Sequence, residues 1–273
     1  MHIRPLTTIH DCRLVAELER AVWGYTDAED VVPPPVLIVS AKRGGVLLGA
    51  FDDAGAMKGF VYSIPGLKDG RPMQWSHMLG VLPDARNTGL GLQLKLAQRR
   101  ATLDMGLELI EWTYDPLQAL NAHLNFARLG VVVEEYEENI YGESSSALHR
   151  GTPTDRFVAA WNIREPHVER RIASRGPAVR DGSVASAPLV NPSSSGGGWL
   201  RPGEGNLSST ERRLLVEIPT GFSDMQQREP ALALEWRLES RRIFQHYLHR
   251  GYRVVDFFLA RDAGRGQYLL ALR

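Results

Sequence analysis

The sequence predicts an α/β (α+β) fold: a mixed central sheet flanked by helices, followed by a smaller C-terminal α/β half-domain. Three observations lead there. Short apolar runs bounded by Gly, Pro, Asn and Asp alternate with longer segments whose apolar residues recur every three to four positions. The 273 residues are 43% hydrophobic and 23% charged, a balance that supports one large or two modest globular cores. A stretch rich in Ser, Gly and Pro, 173–209, separates a first region, 1–165, from a last one, 210–273, and reads as a linker or long loop.

The elements follow in order. "HIRPLT" suits a strand and "IHDCRLVAELERAV" an amphipathic helix. "VVPPPVLIVSAKRGG" has prolines suited to a helix start and glycines suited to its end. "GVLLGAFDD" and "KGFVYSIPG" read as strands joined by a hairpin loop, and "MQWSHMLGVLP" as a further strand. "GLGLQLKLAQRRATLDMG" sets Leu90, Leu94, Ala97 and Ala101 on one helical face. "LELIEWTY" is a strand, "PLQALNAHLNFARLG" a helix closed by Gly130, and "VVVEEYEEN" and "RFVAAWNI" complete the series. After the linker come the strand "RRLLVEIP", a helical stretch Met225–Arg250 interrupted near Pro230, and a hairpin of "YRVVDFFLAR" and "QYLLALR". Strand, helix, glycine, strand thus occurs twice, with Phe126 and Tyr247 each four residues before Gly130 and Gly251. Partial duplication and a shared helix-cap pattern both account for this.

Composition excludes several classes. Lys plus Arg and Asp plus Glu number 32 each, so no bulk field draws the chain to nucleic acid or an acidic membrane. "ERRIASR" and "ESRRIF" are short basic patches without interleaved aromatics and read as solvated helix faces. Cys12 is the only cysteine. It permits no intrachain disulfide, reads as a buried thiol, and with the absence of a secretory h-region leads to a cytoplasmic expectation. The eight His are scattered and no Cys cluster exists, so no metal site is expected.

The pattern Arg-x-x-Gly-x-Gly occurs twice, as "RNTGLG" (Arg86–Gly91) and "RDAGRG" (Arg261–Gly266). The second lies between strand-like runs, where its glycines supply a hairpin loop. The first follows a strand and opens a helix. There the N–H groups from Asn87 through Thr88, Gly89 and Leu90 to Gly91 lie at the positive end of the helix dipole, which suits a pyrophosphate. Glycine lets the anion reach the backbone, and Arg86 adds a charged donor. No Gly-x-Gly-x-x-Gly fingerprint or Walker loop is present.

"VLPDARNTGLGLQLKLA" resembles the acetyl-CoA signature of the GNAT superfamily of N-acetyltransferases, V-x-P-x-x-R/Q-x-x-G-x-G/A, with matches at Val81, Pro83, Arg86, Gly89 and Gly91. The element order of residues 1–163 and the segment "NAHLNFARLGV" are also similar to that family, and residues 200–273 resemble its C-terminal half. Asp115–Ala122 and Thr154–Arg156 resemble segments of a poorly characterised bacterial branch. The resemblance implies acyl transfer from acetyl-CoA, with no metal, to a small-molecule or peptide amine. Leu79, Gly80 and Val81 match the strand that meets pantetheine and the thioester, and Gly80 allows close approach of the acyl group. Asn121 and Asn125, one turn apart, suit hydrogen bonds to pantetheine amides.

Such a reaction needs a base for the ammonium proton, an oxyanion donor and a proton for the leaving thiolate. His77 stands where the family often has a Glu base, and a near-neutral imidazole suits the task; an ordinary core or surface histidine is the other reading. Glu111 is the second candidate, or a solvated position. Phe126 departs from the family's Tyr and cannot donate a proton. Tyr247, Tyr114 or water then fills that role. A non-catalytic acyl-CoA-binding or regulatory module is the alternative function. The C-terminal region is expected to pack on the first domain, or across to a second chain in a homodimer.

Overall fold

The computed structural model describes residues 1–142, 152–174, 184 and 186–273. They divide into two units. Residues 1–112 with 162–164 form the first, and the described residues of 113–161 and 165–273 form the second. The described residues of 113–161 therefore group with the C-terminal region, although the sequence reading placed them in a first region, 1–165, with the compositional change near 173. Strand pairing explains this: β6 (Val132–Glu137) pairs antiparallel with β11 (Tyr252–Ala260) at Val133 and Val254.

In the first unit the order is β1 (His2–Pro5), α1 (Ile9–Trp23), α2 (Pro34–Lys42), β2 (Val46–Phe51), β3 (Met57–Lys68), β4 (Arg71–Val81), α3 (Leu90–Asp104) and β5 (Leu109–Tyr114). Its sheet runs β1-β2-β3-β4-β5, antiparallel except for the parallel β4–β5 pair. A capping box opens α1: Thr8 Oγ1 accepts from Asp11 N and the Asp11 carboxylate accepts from Thr8 N, at 3.1 Å each. Alternation along the strands splits the apolar residues between two faces. Leu47, Phe60, Tyr62 and Met78 pack on one face with Cys12, Val15 and Leu18 of α1 and Leu37 of α2. Val46, Leu48 and Val61 pack on the other with Leu90 and Leu94 of α3, supported by Ala97 and Ala101. The helical face read from the sequence is the one that packs.

The second unit contains a short α4 (Ala119–Ala122) that widens into a π-helical stretch (His123–Leu129) and stops at Gly130, whose φ is 73°. After β6 come β7 (Arg156–Asn162), α5 (Pro166–Ala173), a small hairpin of β8 (Ser194–Gly196) and β9 (Trp199–Arg201), β10 (Arg213–Pro219), α6 (Phe222–Arg228), α7 (Pro230–His249), β11 and β12 (Arg265–Leu272). Its strands lie in the order β7-β6-β11-β12-β10, all antiparallel. Gly251, like Gly130, is left-handed (φ 87°), so both copies of the helix–glycine–strand pattern end in the same backbone conformation.

The described part of the stretch read as a linker is tied down along α7. Trp236 Nε1 donates to Leu200 O at 2.9 Å, the Tyr247 hydroxyl to Asn206 O at 2.6 Å, and Arg250 Nη1 to Ser209 O at 2.9 Å. Glu239 accepts from Gly205 N. Side chains of a helix thus satisfy backbone groups that no ladder serves. Part of the predicted linker, 175–183 and 185, lies outside the described residues.

Candidate active site

The geometry of β4 sets the site. Tyr62 of β3 pairs with Met78 and the next residue, Ser63, pairs with Ser76, so His77 is the extra residue of a β-bulge. On the other edge, β4 pairs with β5 only at Gln74–Ile110 and Trp75–Glu111. Beyond Trp75 the strand has no pairing with β5, which leaves that edge of Ser76–Val81 available to a ligand's amides. Leu79 and Val81 turn their side chains into the α3 face. Gly80 is buried, and a Cβ there would stand 2.7 Å from Phe60 and 3.2 Å from Trp23. Aromatic packing on the α1/α2 face is thus a reason of its own for that glycine.

From Val81 the chain passes through a 3-10 turn, Pro83–Ala85, to two left-handed residues, Asn87 (φ 62°) and Gly89 (φ 86°), and then into α3. The first rung of that helix runs from Gln93 N to Gly89 O at 3.1 Å, and no side chain caps it. The N–H groups of Leu90, Gly91 and Leu92 therefore stand outside the helix ladder. A Cβ on Gly89 would meet nothing within 4 Å, and one on Gly91 only Leu79 Cδ2 at 3.9 Å. There is open space where an anion would approach, so these residues fit a phosphate. Arg86 is exposed and donates through Nε to Val81 O at 3.2 Å, while Thr88 Oγ1 donates to Ala85 O at 2.8 Å.

His77 is exposed and its ring meets Tyr62 edge-on, with centroids 6.0 Å apart. The protein packed around it lowers its pKa below the ordinary 6.5, which keeps the imidazole neutral at pH 7. Glu111 is buried and stands 3.6 Å from Lys68 Nζ, an ion pair that opposes a role as free base. In the second unit, Asn121 is exposed and Asn125 buried, so the two do not present a common exposed face; the π-helical stretch between them breaks the one-turn spacing. Phe126 is fully buried with its ring against Tyr268. Tyr247 is also fully buried, and its proton is committed to Asn206 O. That corrects its assignment as thiolate acid: the hydroxyl holds backbone. The Tyr114 hydroxyl is buried, and burial pushes its pKa well up.

Three features escaped the sequence reading. Lys95, on the second stripe of α3, is 3% exposed, with Nζ 2.9 Å from Ser76 Oγ, 3.2 Å from Gln98 Oε1 and 3.6 Å from the Trp112 ring centroid. Burial holds its pKa well below the ordinary lysine value. Glu19 of α1 is fully buried; burial pushes its pKa up to about 7, against the pull of Val32 N and Arg20. Its Oε2 accepts from Val32 N at 2.9 Å, while Oε1 is buried and finds no partner. Each orphan of this kind costs about 1–3 kcal/mol. The third is the role of the "DPLQ" and "TDR" segments. Arg237 and Arg241, one turn apart on α7, grip Asp115 (2.7 and 2.8 Å) and Asp155 (2.7 and 2.8 Å). These two carboxylates anchor a helix.

Among the described residues no group of three His, Cys, Asp or Glu could hold a metal, and no helix is long and apolar enough to cross a membrane. No family profile matches the chain. No curated protein sequence matches it. Solved structures to which it is similar include acetyltransferases. The ribosomal-protein-S18-alanine N-acetyltransferase from Escherichia coli is 16% identical over 59% of this chain and 93% of its own, with a TM-score of 0.46. A GNAT-family acetyltransferase from Streptococcus pneumoniae is 16% identical over 58% of this chain and 97% of its own, at 0.47. The protein yncA of Salmonella typhimurium, solved with its cofactor acetyl-CoA, is 16% identical over 67% of this chain and 98% of its own, at 0.48.

Proposed function

We propose that the protein is an acyl-CoA-dependent N-acyltransferase that moves an acetyl group to an amine. The observation that carries this reading is the continuous path from the bulge at His77, along the unpaired edge of β4, to the open first turn of α3. Leu90, Gly91 and Leu92 offer N–H groups to the pyrophosphate, with Arg86 beside them. Leu79, Gly80 and Val81 offer main-chain groups to the pantetheine arm. Bound acetyl-CoA supplies an activated thioester.

The rest falls to the chain's own residues. His77, neutral at pH 7, takes the proton of the acceptor ammonium, so that the free amine can attack. Glu111 is the less suitable base because of Lys68. Phe126 carries no proton and Tyr247 has none to spare, which leaves water to protonate the thiolate. The second reading, a module that binds acyl-CoA without turning it over, draws its support from Phe126. Thiol release from acetyl-CoA with a pooled set of primary amines separates the two. Turnover that falls at least 100-fold in His77→Ala, with acetyl-CoA affinity retained, supports catalysis by this residue. Acetyl-CoA binding with no thiol release from any amine supports the binding module.

A further inference from the structure

β4 and β5 part at a defined register, and one side chain stands at that point. The two strands run parallel and pair at Gln74–Ile110 and Trp75–Glu111; on the same count the next partners would be Ser76 and Trp112, and these do not pair. Lys95 of α3 reaches both. Its Nζ donates to Ser76 Oγ at 2.9 Å and lies 3.6 Å from the centroid of the Trp112 ring. Gln98, one turn on, joins it: Nζ donates to Gln98 Oε1 at 3.2 Å, and Gln98 Nε2 donates to Ser76 Oγ at 3.0 Å. A single amine thus touches the first unpaired residue of each strand. Lys95 and Gln98 are both buried, and among the described residues no carboxylate pairs with the lysine. Lysine is almost never buried without a partner ion, because water solvates its charge better than a protein interior does. A methionine would fill the same space at lower cost. The amine is therefore kept for something other than stability.

We propose that Lys95 is a positioning residue for acyl transfer: by holding Ser76 and Trp112 it fixes where β4 and β5 part, and with that the depth at which the thioester stops beside His77. Ser76 precedes His77 in the chain, and the two turn to opposite faces. Ser76 Oγ is drawn onto α3, whereas the bulged His77 sets its ring against Tyr62 of the α1/α2 face. Whatever holds the Ser76 side chain therefore holds the peptide group that carries the base. The other end of the path belongs to the same helix. Leu90, Gly91 and Leu92 open α3, and Lys95 follows Leu90 by five residues, about 7.5 Å along the axis. One helix thus sets both ends: the pyrophosphate at its first turn and, through Lys95, the point where the strands close. A misplacement of about 1 Å between reacting groups costs up to about 100-fold in rate, which gives such a brace its value.

The proposal rests on the acyltransferase reading for its effect on rate, so the experiment has one arm without turnover and one with it. Lys95→Met keeps the stem and removes the amine, and Ser76 and Gln98 still have each other as partners. Without turnover, the ring resonances of His77 are followed by NMR in the full chain as pH is varied. The expected result is that they shift in Lys95→Met while those of the other histidines stay in place, with a melting temperature equal to or above the native one. With turnover, kcat for thiol release from acetyl-CoA should fall at least tenfold, while KM for acetyl-CoA stays within about twofold. A lysine that serves only the fold gives the opposite pattern, a lower melting temperature with kcat unchanged. Should Lys95→Met not fold, Gln98→Met, which removes the second hold on Ser76, should move the same His77 resonances by less. Unmoved His77 resonances in a folded variant, kcat within about twofold of native, or acetyl-CoA affinity lost in step with kcat would each overturn the proposal. Failure of the acyltransferase reading shows differently, as a native chain that releases no thiol with any amine; the NMR arm still decides whether Lys95 places His77.

Discussion

Gly91 and Gly266 close the same Arg-x-x-Gly-x-Gly pattern in two regions, and a methyl group added to each would meet different neighbours. At Gly266 it would stand 2.4 Å from the Phe257 ring; at Gly91 it would meet a single leucine methyl at 3.9 Å. The other backbone groups diverge in the same way. Gly264 N donates to Arg261 O and Gly264 O accepts from Thr220 N, so the hairpin turn uses its own peptide groups. At Arg86–Gly91 the peptide N–H groups that open α3 are left over. One glycine makes room for an aromatic ring of the protein; the other faces open space. A second pair teaches the same lesson for charge. Asp115 and Glu19 are both buried carboxylates, yet Asp115 is held below its ordinary pKa by Arg237 against the opposing effect of burial, while Glu19, without such a partner, rises to about 7.

These contrasts predict effects of opposite sign. The largest is Asp115→Asn, which leaves the Arg237 guanidinium buried and unpaired and should cost about 3–5 kcal/mol in urea unfolding. A loss below about 1 kcal/mol would contradict the anchoring role of the "DPLQ" segment. Glu19→Gln should instead stabilise, and only at higher pH. A carboxyl whose folded pKa exceeds its unfolded 4.5 contributes its full stability below pH 4.5 and loses it as pH rises to about 7. The variant should therefore gain up to about 3 kcal/mol over the native chain at pH 8 and nothing at pH 4, read as melting temperatures at the two values. The same gain at both pH values would show that Glu19 does not titrate as described. Gly266→Ala should cost about 1–3 kcal/mol by overpacking against Phe257. Gly91→Ala, with ordinary contacts and helical backbone, should change stability by less than about 1 kcal/mol in either direction. Equal losses at the two glycines would break the comparison.

The sequence carried the parts of this picture that depend on neighbours along the chain. Leu90, Leu94, Ala97 and Ala101 announce the packed face of α3 by spacing alone, and strand-then-helix context separates the two Arg-x-x-Gly-x-Gly matches. What depended on pairing register was hidden. The bulge at His77 exists because Ser63 pairs with Ser76 and Tyr62 with Met78, and no local pattern reveals an offset between two strands. Lys95 was hidden for another reason: its burial comes from Ser76, Gln98 and Trp112 closing over a charged side chain on a stripe that periodicity assigns to solvent. Few apolar anchors give the Ser/Gly/Pro-rich segment the look of a linker; that Leu200, Asn206 and Ser209 are held by donors on α7, about forty residues away, has no local signal in the sequence. Glu19 reads as one more polar position of an amphipathic helix until α2 and β3 are packed against it.

The central claim is that the turn from Arg86 to Gly91 holds the pyrophosphate of acetyl-CoA, and the most direct measurement is calorimetric titration of acetyl-CoA into the native chain, Gly91→Val and Gly266→Ala. Gly91 has helical backbone and room for a side chain, so Gly91→Val should fold like the native protein while the valine occupies the approach to the Leu90–Leu92 N–H groups. The account predicts that this variant loses acetyl-CoA affinity at least 100-fold with its melting temperature nearly unchanged, whereas Gly266→Ala melts lower and binds as the native chain does. Undiminished binding by a folded Gly91→Val would contradict it.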